Sequence, residues 1–140
     1  MKKLLIVLLS LPIIGFGQIY SGPTGCFSGN CENGKGIFVD DVGNMYIGEF
    51  IDGVMNGDVT INYANDDKYI GELRERKRNG KGLLIYPNGD KYEGEFIDNK
   101  QHGFGTLMKS DNTIIKNGIW KNGELISEVL HPSELGFEPE

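Results

Sequence analysis

Histidine and cysteine are scarce in this chain, with two copies of each among 140 residues. Little histidine removes the commonest general acid–base and metal-ligating side chain, and two thiols fall short of the four ligands of a structural zinc site. His102 and His131 have no nucleophile at a motif spacing. The sequence therefore reads as a non-enzyme without cofactor and without a metal site. Positive charge is also short: 14 Lys and Arg face 20 Asp and Glu, for a net charge of −6. That balance repels phosphate backbones and argues against nucleic acid as a partner. Proline is ordinary at five, so the chain is no Pro-rich linker. Long apolar runs are missing apart from Leu4 to Ile14, which falls short of the roughly twenty residues that cross a bilayer.

That one run follows Met1-Lys2-Lys3 and precedes the small residues Gly15-Phe16-Gly17. A short basic region, an apolar stretch and a small-residue site make a secretory signal over residues 1–17. No cysteine follows the run where a lipoprotein needs one. The expected mature chain is Gln18 to Glu140, 123 residues, with 12 cations against 20 anions and a net charge of −8. Its expected location is periplasmic or extracellular, with envelope association an open option.

What the sequence has in plenty is glycine, 21 residues, roughly twice the average share. A lag of 23 aligns Gly25, Gly48, Gly71 and Gly94, and one of 24 then reaches Gly118. The same offset aligns Gly34, Gly57, Gly80 and Gly103; two residues later stand Gly36, Val59, Gly82 and Gly105. Tyr46, Tyr69 and Tyr92 precede the first glycine column by two, and Phe27, Phe50, Leu73, Phe96 and Trp120 follow it by two. Such a period marks stacked units that bury apolar surface only against their neighbours. Tyr46, Gly48 and Phe50 share one strand face, as do Gly57, Val59, Ile61 and Tyr63, while Asp52-Gly53 and Asn88-Gly89 suit tight turns. Each period is two antiparallel strands. Their glycines are expected to leave room for an aromatic ring from the adjacent strand or repeat.

The segments "YIGEFIDGVMNG", "YIGELRERKRNGKG" and "YEGEFIDNKQHGFG" resemble the MORN repeat (membrane occupation and recognition nexus). "GCFSGNCENGKG" matches in its second half, and "KNGIWKNGELI" keeps only the first. The resemblance implies an all-β, elongated, single-layer twisted sheet or solenoid of successive antiparallel β-hairpins, used in binding or assembly. About four repeats and a partial one fill residues 18–126. Nine or ten strands at about 4.7 Å each make a rod of roughly 45 Å. Residues 127–140, with Pro132 and Pro139, read as a C-terminal cap or disordered tail.

Several side chains stand out against this frame. Cys26 and Cys31 flank the expected first turn, Phe27 to Asn30, and an even count in an exported chain favours a disulfide. Tyr46, Tyr69 and Tyr92 are candidate partner-binding anchors, or else core rings above the glycines. Arg74, Arg76, Lys77 and Arg78, with Lys81 nearby, form a basic loop that would suit anionic lipid or a partner's carboxylates, or simply face water. Glu49, Glu72 and Glu95 make a column expected to pair with Lys68 or Lys91, and His102 is expected in a turn. Asp and Asn at the alternate turns (Asp40-Asp41, Asn65 to Asp67, Asn88 to Asp90, Asp111-Asn112) suit turn chemistry or calcium. Function is expected to be non-catalytic: protein–protein binding or assembly with a protein partner, or contact with anionic head groups through the basic loop.

Overall fold

Alternation of apolar residues at spacing two becomes extended strand along the whole repeat region. The computed structural model describes residues 24–129 and is all β. Its strands are β1 (Gly25–Gly29), β2 (Gly34–Val39), β3 (Met45–Ile51), β4 (Val54–Asn62), β5 (Lys68–Arg74), β6 (Lys77–Ile85), β7 (Lys91–Ile97), β8 (Lys100–Met108), β9 (Ile114–Lys121) and β10 (Glu124–Glu128). They form one antiparallel sheet in strict sequence order. The expected signal at 1–17 lies outside the described residues, as does the expected tail from residue 130 onward. Ser127 and Glu128 belong to β10, and the Val129 N–H donates to the Asn117 carbonyl at 2.8 Å, so the sheet passes the expected limit at Ile126.

Two kinds of connection alternate. Within a repeat the strands join through two residues: Asp52-Gly53, Glu75-Arg76, Asp98-Asn99 and Asn122-Gly123, all at positive φ. These are the mirror-image turns whose twist matches a hairpin. Between repeats the chain crosses in longer loops, closed by N–H groups of Asp40, Tyr63, Tyr86 and Lys109 donating to carbonyls of Asn44, Asp67, Asp90 and Thr113. Here the Asn and Asp side chains cap their own turns: Asn65 Oδ1 accepts from the Asp67 N–H at 3.1 Å, and Asn88 Oδ1 from Asp90 at 3.0 Å. Turn chemistry thus accounts for the acidic edge.

The core lies on one face of the sheet. Tyr69 and Tyr92 are fully enclosed, and Phe96, Trp120, Ile61 and Val59 are buried with them. The rings meet edge to face in a continuous row: Tyr69 to Phe96 at 5.3 Å, Phe96 to Tyr92 at 5.2 Å, and Tyr92 to Trp120 at 5.2 Å. Such contacts add to the area that the rings bury. Each tyrosine also lies over a pair of facing glycines, Gly71 and Gly82 for Tyr69, Gly94 and Gly105 for Tyr92. A Cβ on Gly94 would sit 2.6 Å from the Tyr92 hydroxyl, and one on Gly105 would overlap the same ring. The ring therefore comes from the adjacent strand of the same hairpin. The residues that cross between repeats are Phe96 and Trp120, each reaching back to the tyrosine of the preceding hairpin.

Register slips once per hairpin, after Ile47, Gly71 and Gly94. The facing strand carries Gly57, Gly80 and Gly103 there, with φ of 77°, 82° and 60°. This glycine column marks bulges that need the left-handed backbone. At the slip the tyrosine hydroxyl finds its acceptor: Tyr69 donates to the Glu72 carbonyl at 2.9 Å and Tyr92 to that of Glu95 at 3.2 Å.

Gly105→Ala is expected to cost about 3 kcal/mol in urea unfolding, above the roughly 1 kcal/mol span of strand propensity, because ring and backbone both resist. Adding Tyr92→Leu should recover about 1 kcal/mol or more through non-additivity. Strictly additive losses would contradict the ring-on-glycine account.

Candidate functional site

Alternation along the strands decides which sequence candidates are accessible. Tyr69 and Tyr92 have 0% exposure and serve as core, so neither can anchor a partner. Tyr46 differs because Val59 occupies the position that is glycine at Gly82 and Gly105. Its ring stays half-buried, tilts against Phe38 at 6.2 Å, and sends its hydroxyl to Asp40 Oδ2 at 3.1 Å, away from the bulge. Burial, followed by the Asp40 charge, pushes the Tyr46 phenol up to about 12. Asp40 is held below the usual carboxylate range: burial opposes this, but hydrogen bonds from Asn44, Tyr46 and Val42 prevail.

The basic loop separates into three parts. Arg78 shares the buried face with Leu84, and its guanidinium lies 5.8 Å from the Tyr63 and Tyr69 ring centres and 5.3 Å from that of Phe96. Its Nη2 donates to the Asn99 carbonyl at 2.7 Å, while its backbone N–H donates to Asn99 Oδ1 at 2.9 Å. Arg78 is thus a cation–π clamp between repeats and is withdrawn from the anion-binding set. Lys81 lies on the opposite face, facing Glu95 across β6 and β7. Arg74, Arg76 and Lys77 remain exposed together at one hairpin tip.

The cysteines do form a disulfide, with α-carbons 5.8 Å apart, inside the window of about 4.4 to 6.8 Å. The first turn falls at residues 30–33, later than expected, and Phe27 sits at a register shift in β1 with 58% exposure. The Cys31 sulfur lies against Gly36, where a Cβ would approach it to 2.9 Å. Gly36 stands in the column of Gly82 and Gly105, and this repeat carries Pro23 in the tyrosine column. Sulfur covers the glycine that a ring covers elsewhere.

The glutamate column turns to the bulges, and its expected lysine partners are replaced by backbone. Glu72 Oε1 accepts the Lys81 N–H at 3.4 Å, and the Glu95 carboxylate packs against Gly103. His102 is a strand residue of β8 facing Glu95, where a turn position was expected. Among the described residues no three His, Cys, Asp or Glu converge as a metal set.

Sequence reading passed over the sheet's other face. An open trough of about 950 Å³ crosses β5 to β9, with Ile70, Leu83, Phe104, Met108 and Ile114 offering apolar surface. Ile70, Phe104 and Ile114 are 39%, 49% and 40% exposed. Asp58, Glu93 and Glu95 flank them. Apolar residues set between the aligned columns (Ile47 and Ile70 between tyrosine and glycine, Phe104 between two glycines, Ile119 between glycine and tryptophan) were the available signal.

Burial first, then the Glu95 charge, raises the Tyr92 phenol to about 12, and Tyr69 is raised as well, chiefly by burial. A phenol near 10 when unfolded and near 12 when folded favours the folded state below pH 10, and that contribution is lost as pH climbs from 10 to 12. Phenolate absorbance should therefore rise cooperatively with loss of the β signal in that window. Ionisation of most tyrosines near pH 10 with the sheet intact would contradict it.

A family model for the MORN repeat matches residues 46–57, 69–91 and 92–114. No curated protein matches the chain. The matched segments begin on Tyr46, Tyr69 and Tyr92, the residues whose rings head each hairpin, and the successive hairpins form one sheet. Repeats of this family are generally binding modules, to protein or lipid, and not enzymes. The chain is a MORN-repeat protein.

Proposed function

We propose that this chain is an exported, non-catalytic module for protein–protein binding or assembly in the cell envelope or outside the cell, with its partner seated in the trough. The observation that carries this reading is the trough's apolar floor, exposed on a single-layer sheet whose other face already holds the core. Contiguous apolar surface rimmed by charge favours an interaction site. Three acids, Asp58, Glu93 and Glu95, outnumber the one lining cation, Lys81, which faces Glu95, and this balance favours a partner segment with apolar side chains flanked by lysine or arginine. Export rests on the basic and apolar N-terminal pattern of residues 1–17.

A photo-crosslinking residue placed at Ile70 or Phe104 is expected to capture one defined protein in the native envelope, competed by excess unlabelled chain and lost with Phe104→Glu. The same label at Val42 should capture none. Equal labelling from all three positions, or none from the trough, would defeat the reading. Mass analysis of the native chain tests export, with an expected N-terminus at Gln18.

A second reading, contact with anionic lipid head groups, draws support from the three exposed cations Arg74, Arg76 and Lys77 at one tip. Flotation with anionic vesicles at low salt, abolished by Arg74→Glu plus Arg76→Glu, is the expected result. No flotation at low salt discards it.

A further inference from the structure

The seam between the second and third hairpins is built differently from the others. In three seams a carbonyl of the earlier hairpin ties down the next turn: Glu32 accepts from Gly53 at 2.9 Å, Arg78 from Asn99 at 3.1 Å, and Gln101 from Gly123 at 2.9 Å. Among the described residues Met55 makes no such bond to Arg76. Pairing of β4 with β5 ends at Asp58 and Glu72, whereas β6 and β7 stay paired out to Gly80 and Phe96.

Three departures from the repeat open this seam. Leu73 stands in the column of Phe50, Phe96 and Trp120, so an aromatic ring is missing. Val59 displaces Tyr46 from above the glycines, as described. Met55 turns back over Gly48, its Cε 2.9 Å from where a Cβ there would sit. The space left is a cleft of about 140 Å³, walled by Phe38, Tyr46, Phe50 and Leu73, with Val54 and Arg76 at its rim and Asp40 at one end. A cavity of about this size takes one benzene-sized ring.

The turn above the cleft is also the strained one. Asp52-Gly53, Asp98-Asn99 and Asn122-Gly123 use residues that tolerate positive φ, but Glu75 and Arg76 sit at 51° and 62° without that tolerance. Strain of this kind persists where the site uses it.

We propose that this cleft receives a single aromatic side chain, presented by a partner polypeptide next to carboxylates, with the ring against Phe38, Tyr46 and Phe50 and an acid group on Arg76. Charge sets the orientation. Asp40 already accepts hydrogen bonds from Val42, Asn44 and Tyr46 and repels an anion from its end. Arg76, with Arg74 and Lys77 beside it at the tip, attracts one. The cleft opens on the core face, opposite the trough, and the proposal does not rest on the trough being occupied.

The test is an NMR titration of the full chain with a capped Asp-Glu-Phe-Glu-Asp peptide, its Phe-to-Ala counterpart and free 3-phenylpropionate. The first peptide should shift the methyl signals of Leu73, Val54 and Met55, and the Ala counterpart should not. Leu73→Phe restores the missing ring and should raise Tm while weakening peptide binding at least about tenfold. Arg76→Gly relieves the strained turn, keeps the fold, and should weaken binding by a similar factor through loss of the cation. Unchanged binding in either folded variant overturns the proposal, as does equal binding of the Ala peptide or absence of shifts at about 5 mM probe. Binding of 3-phenylpropionate with the peptide silent assigns the cleft to a small aryl acid and overturns the polypeptide partner.

Discussion

A tyrosine ring whose hydroxyl end lies over two facing glycines is the contact on which this molecule depends. A single-layer sheet has no second layer to bury its apolar face against, so it must make a core from its own side chains. Glycine pairs provide the depth: removing two Cβ atoms from facing strands lets Tyr69 or Tyr92 lie across bare backbone. Phe96 and Trp120 then dock on those rings from the next hairpin. Local contacts inside a hairpin prepare the surface that the neighbour uses, which couples folding of one repeat to the next.

Departures from this rule are informative because each has a visible remedy or a visible gap. In the first repeat a disulfide sulfur covers Gly36 in place of a ring. At the junction of the third and fourth hairpins Arg78 fills the space with a cation set among three rings. In the second repeat Met55 and Val59 cover Gly48 but leave a cleft beside it: Val59 turns Tyr46 toward Asp40, and Leu73 is too short to meet it. The ring row accordingly begins at Tyr69.

Much of the fold was legible in the sequence, because period, alternation and turn chemistry all agreed. The hairpin order, the turns at Asp52-Gly53 and the ring-to-glycine relation follow from columns a reader can align by eye. The disulfide was legible from parity and spacing. Less legible was which face of each strand a charged residue occupies. Arg78 reads as part of a basic run, yet counting back by twos from Leu84 puts it among the rings. An irregularity in β1 hid the first turn's position, and a turn of only two residues, Asp98-Asn99, left His102 inside β8. The trough was missed because attention to aromatic columns passed over the apolar positions between them.

The strict neighbour-to-neighbour strand order has a mechanical consequence. Interstrand hydrogen bonds point along the ribbon's length, so tension applied between its two ends opens ladders one after another, like a zipper, instead of shearing them all together. Resistance at any instant comes from one hairpin seam, and the seam at Met55 and Arg76, lacking its cross-tie, yields early. Such a ribbon lengthens in steps under modest load and closes again from whatever hairpins survive.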